Sequence, residues 1–96
     1  MPKVLIYYTR KVIWEFLFYD TDVNENRAHV YVGKAGVVKM AKIWLEPYTE
    51  LADSGDLAIR ETADLLRIVE ANKDKLLKQW QQFKLGKRVR IIKISQ

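Results

Sequence analysis

The chain has no cysteine. That excludes disulfides and thiolate metal sites and makes a reducing compartment, with the cytoplasm as default, the expected setting. It has one histidine, His29. Zinc takes four ligands, mostly cysteine and histidine, so neither a metal nor a cofactor is expected. No apolar run approaches the roughly 20 residues that cross a bilayer. Residues 1–8 are too short for a signal-peptide core, and Arg10 and Lys11 follow where a cleavage site would stand, so no membrane contact is expected. Glycine and proline are sparse, four and two, and none builds a phosphate-cradling loop: Gly33 and Gly36 lack the following helix and lysine-serine ending. Asp20 and Asp22 lack the glycine and closing glutamate of a calcium loop. There is no nucleophile elbow and no paired-carboxylate spacing.

What is present suits a folded globule. Apolar residues make up 49% and charged residues 30% of 96 positions, enough for one domain spanning 1–96 with a single core. The stretch Ala41-Lys42-Ile43-Trp44-Leu45-Glu46-Pro47 divides the chain, because Pro47 has no N–H for a ladder and holds Glu46 extended, so a strand cannot run past it. Before it, β-branched and aromatic runs predict strands over 4–8, 12–19, 28–32 and 37–45, with Gly33 and Gly36 supplying a tight turn. Residues 20–26 read as a polar loop, as do 48–55.

Beyond Pro47 the period changes. Ala58, Thr62, Leu65, Leu66, Val69, Leu76, Leu77, Trp80 and Phe83 keep one helical stripe. An unbroken helix over 57–85 would be roughly 43 Å long at 1.5 Å per residue. Two helices broken near Asn72 are therefore expected, with Asp56 and Asp74 as N-caps and one kinked helix as the alternative. Gly86 stops the second, and residues from 88 on read as a charged edge strand or tail. The expected fold is α+β: a mostly antiparallel sheet of four or five strands with the helices packed on one face. Trp14, Trp44 and Trp80 all fall on core-phased positions, and Trp44 is expected beneath the helices on the face of Val38 and Met40.

Charge is distributed unevenly. Residues 1–72 hold nine basic and eleven acidic side chains, a balance of −2, whereas residues 73–96 hold eight basic and one acidic, a balance of +7. Lys75, Lys78 and Gln82 share the helix face opposite the apolar stripe, and Lys84, Lys87, Arg88, Arg90 and Lys93 extend the basic run. This is the expected binding surface for nucleic acid or an acidic partner protein. The weaker catalytic candidates are His29, Arg27 and Glu46, with Asp22 beside them, since a general acid–base near neutrality is most often a histidine.

Met1-Pro2, Phe18-Tyr19 before an acidic loop, His29-Val30, Ala41 through Pro47, Ile68-Val69 then Asn72, and Leu76-Leu77 followed by Trp80 occur in an order that resembles the small prokaryotic family catalogued as domain of unknown function 4160. The resemblance covers almost the whole chain. It implies no established activity but a partner, because such proteins are often found beside a second small protein in arrangements like toxin–antitoxin pairs. Family members commonly carry His-Val-His-Val where this chain reads Arg27-Ala28-His29-Val30, so the first histidine is replaced by arginine. One histidine and an arginine do not make a metal site on a strand face. The expected function is a non-enzymatic binding protein in a two-protein cassette, touching a protein encoded nearby and RNA or DNA through its basic end. The alternatives are a small RNA-cleaving toxin using His29, with Arg27 holding the anion, and a homodimer paired at a sheet edge.

Overall fold

The computed structural model describes residues 2–96; Met1, which opens the first of the motifs above, lies outside them. Six strands form one sheet in the order β5-β4-β3-β2-β1-β6. In chain order they are β1 (Lys3–Tyr8), β2 (Ile13–Leu17), β3 (His29–Gly33), β4 (Ala41–Trp44), β5 (Glu50–Asp53) and β6 (Ile92–Ser95), with helices α1 (Ile59–Ala71) and α2 (Lys73–Lys84) between the last two. Every neighbouring pair is antiparallel except β1 and β6. The fold is thus α+β with a mostly antiparallel sheet and two C-terminal helices.

The expected count of four or five strands is corrected to six, and the added strand is β5. Glu50-Leu51-Ala52-Asp53 has no β-branched or aromatic residue and all four positions are exposed, so neither propensity nor alternation marks it. Its ladder is made by the neighbour: β4 presents an open edge, and the chain turning at Pro47 lays residues 50–53 along it, Ile43 opposite Leu51 and Trp44 opposite Glu50.

Register divides the sheet. Leu5, Tyr7, Trp14, Phe16, Val30, Val32, Ala41 and Ile43 share one face, which is buried and continuous with Leu65, Val69, Leu76 and Trp80 of the helices. The other face carries Ile6, Tyr8, Glu15, Tyr31, Lys42 and Trp44. The expectation for Trp44 is therefore corrected. The strand read over 37–45 begins only at Ala41, Val38 is 93% exposed in the preceding bend, and burial falls on Ala41, Ile43 and Leu45. Trp44 sits half-buried on the opposite face with the Arg27 guanidinium 4.0 Å and the Lys42 ammonium 4.4 Å from its ring centroid. Trp44→Ala should cost only about 1–2 kcal/mol, because cation–ring contacts and half-burial are lost rather than a core plug. A urea midpoint shift worth more than about 3 kcal/mol, the cost of emptying a core site, would contradict this placement.

The helix pair breaks where the sequence suggests. Asn72 ends α1, its side-chain amide donating to the Ile68 carbonyl at 2.8 Å, and the Leu76 N–H donates to the Asn72 carbonyl at the start of α2. The N-caps differ from expectation. Asp74 lies inside the first turn of α2, and α1 starts at Ile59 with Glu61 accepting the Ala58 N–H at 3.0 Å. Asp56 instead accepts the Lys39 N–H at 2.8 Å while its own N–H donates to the Lys39 carbonyl, clasping the two loops together. Gly86 has φ +75° beyond the end of α2; its N–H donates to the Phe83 carbonyl and that of Lys87 to Gln82. This left-handed closure reverses the chain and lays residues 87–91 beside α2 on the way to β6.

Candidate functional site

Arg27, His29, Asp22 and Glu46 do come together, where β3 begins beside the end of β4. Glu46 accepts the Ala28 N–H at 3.1 Å, and the Arg27 Nε donates to the Glu46 carbonyl at 2.8 Å. His29 Nδ1 lies 2.9 Å from the Arg27 carbonyl, and because a carbonyl only accepts, this nitrogen carries the proton. Nε2 is 3.1 Å from Oδ1 of Asp22, within ion-pair distance, and makes no hydrogen bond. Asp22, in the short 3-10 helix Asp20–Asn24, uses Oδ2 to accept the Tyr19 N–H at 2.7 Å.

The His29 and Asp22 side chains are shut in, whereas Arg27 is exposed and Glu46 half-buried. His29 is 1% and Asp22 4% exposed, and the imidazole is surrounded by the rings of Tyr31, Trp44 and Trp80 at centroid distances of 5.4, 5.6 and 5.0 Å. Tyr31 is half-buried beside it, and burial, then the nearby Asp22 charge, raises its phenol above the usual tyrosine value. Such an arrangement locks the 3-10 helix onto β3. Among the described residues no three histidine or acidic side chains converge as metal ligands.

The basic end is different. A groove of about 290 Å³ runs between α2 and the returning segment, lined by Lys75, Lys78, Gln79, Gln82, Arg88, Arg90 and Ile92. Four cations meet there and no carboxylate lines it. Helical spacing puts Lys75, Lys78 and Gln82 on one wall, and the turn at Gly86 brings Arg88 and Arg90 to the other. The remaining basic candidates lie elsewhere. Lys84 turns away over the Trp80 ring to donate to the Glu25 carbonyl, and Lys87 and Lys93 are exposed outside the groove.

The residue that holds these walls together is Gln79, which is absent from the apolar stripe read above. It is 6% exposed, and its Nε2 donates to the Val4 carbonyl at 2.9 Å and the Arg90 carbonyl at 2.5 Å, tying α2 to β1 and to the returning segment. The signal existed: Leu76, Gln79, Trp80 and Phe83 have i, i+3, i+4, i+7 spacing, and an amide at a core-phased position must bond to buried groups.

A family model described as Domain of unknown function (DUF4160) matches residues 14–81. The matched span includes Asp22, Arg27, His29, Trp44, Glu46, Lys75, Lys78 and Gln79 and ends before Gln82, Arg88 and Arg90. No curated protein and no solved structure matches the chain.

Proposed function

We propose that this chain, which belongs to the DUF4160 family, is a non-enzymatic binding protein, one half of a two-protein cassette of the toxin–antitoxin kind, that seats an anionic nucleic-acid backbone in its basic groove. The observation that carries this reading is the convergence of Lys75, Lys78, Arg88 and Arg90 around one groove with no acidic lining residue. Closely spaced cations repel one another and gain most when a single polyanion answers several of them at once. The cassette setting and the neighbouring protein partner come from the family resemblance.

The RNA-cleaving alternative draws on Asp22, Arg27, His29 and Glu46, and their proximity favours it. The 1% exposure of His29 weighs against it, since a general base must come within hydrogen-bond reach of the proton it takes.

Single-stranded RNA should bind with a log–log salt slope of about −3, at roughly −0.7 per neutralised phosphate for four contacts. Reversing Lys75, Lys78, Arg88 and Arg90 to glutamate should flatten the slope and weaken binding at least about tenfold at low salt, with the fold intact because all four side chains are exposed. Absence of affinity for RNA or DNA at 50 mM salt, or unchanged affinity in the reversed variant, would remove the groove as the working surface.

A further inference from the structure

A second cleft lies on the α1 side of the sheet. The tip of the β1–β2 hairpin and α1 enclose about 720 Å³ of open space whose floor is apolar, built from Val12, Trp14 and Ala63. Its charged walls are unequally answered. Glu61 bonds Lys34 at 2.5 Å, which, with the Ala58 N–H, holds its carboxyl below the usual carboxylate range, and Asp64 is paired with Arg67. Arg10, Lys11 and Arg60 have no acidic partner among the described residues. The cleft therefore offers an apolar floor with three uncompensated cations at its rim.

We propose that this cleft docks an acidic peptide segment with an apolar anchor, supplied by a partner protein. The floor takes one or two aliphatic or aromatic side chains, and flanking carboxylates reach Arg10, Lys11 and Arg60. A nucleic-acid backbone fits worse: its regular phosphates would meet Glu61 and Asp64 on the α1 wall, whereas a peptide backbone brings N–H donors that those carboxylates accept. The inference rests on the reading of the chain as one half of a protein pair, but it uses residues separate from the basic groove, so either surface can fail without the other.

The test is a titration of the isotope-labelled chain with two acetylated hexapeptide amides of equal charge, EELFDD and EESGDD, followed by amide chemical shifts. EELFDD should bind saturably with shifts confined to the hairpin tip, Trp14 and the first two turns of α1, and EESGDD at least tenfold more weakly. Arg10→Glu/Lys11→Glu/Arg60→Glu should weaken EELFDD at least tenfold, while reversal of Lys75, Lys78, Arg88 and Arg90 should leave it unchanged. The three rim residues are exposed. Should their reversal nevertheless lower the melting temperature, the comparison of the two peptides on the unaltered chain decides alone. No binding of EELFDD, equal binding of both peptides, shifts centred on α2, or displacement of EELFDD by a single-stranded RNA hexamer at the same residues would each overturn the proposal.

Discussion

Phe18→Ala should lower stability by about 3–5 kcal/mol, the cost of deleting a buried aromatic and leaving its cavity. Phe18 is fully buried just past β2, edge-on to Trp80 and tilted against Phe83, each at 5.2 Å. It is where the end of the sheet meets α2, and its N–H is held by the Pro2 carbonyl at 3.1 Å. A domain of this length has only roughly 5–15 kcal/mol in hand, so about a fifth or more of its stability should go. At about 4–8 °C per kcal/mol the melting temperature should fall by more than about 10 °C. Thermal and urea unfolding followed by circular dichroism would measure it. A loss worth less than about 1 kcal/mol would mean that α2 does not pack on the sheet through these three rings.

The second large effect is expected at His29. Removing the imidazole empties space beneath Tyr31, Trp44 and Trp80 and leaves the Arg27 carbonyl without its donor. His29→Ala should cost about 2–5 kcal/mol. Asp22→Asn should cost less, because an amide oxygen can still accept the Tyr19 N–H. Burial makes His29 matter to the fold whether or not it takes part in any chemistry. Loss of any activity in His29→Ala is then diagnostic of chemistry only if unfolding curves show the variant folded at the assay temperature. A midpoint shift under about 1 kcal/mol would show the ring to be dispensable to the fold and would return the acid–base reading to contention.

Much of this architecture is legible in local chemistry. Gly36 at φ +88° makes the turn that the pair of glycines suggests, Gly86 stops α2, and Asn72 divides the helices. Each of these is decided by a residue and its immediate neighbours. What is missed is decided across space. β5 has no strand signal of its own and exists because β4 has an edge to fill. Trp44 faces away from the core because the ladder starts at Ala41, and a strand begun four residues too early brings Val38 and Met40 into an alternation they do not join. The basic candidates show the same limit. Sequence spacing groups Lys75, Lys78 and Gln82 correctly, but only the chain reversal at Gly86 separates Arg88 and Arg90, which join them, from Lys87 and Lys93, which do not. The cleft beside Trp14 is invisible in the sequence, since its rim comes from the hairpin tip and from α1, some fifty positions apart.

The pairing of β1 with β6 has a consequence for how the molecule is made. Leu5 lies beside Ile92 and Tyr7 beside Ile94, so β1 receives its second neighbour from a segment translated more than eighty residues later. β2 follows at once and covers one edge of β1. The other edge stays open while residues 9–91 are synthesised, and an open edge is a template for any passing strand. The segment that finally closes it is continuous with the wall bearing Arg88 and Arg90, and Gln79 bonds both that wall and β1. A chain with β1 still open accordingly lacks one wall of the groove: the two walls meet in the same step that removes the exposed edge.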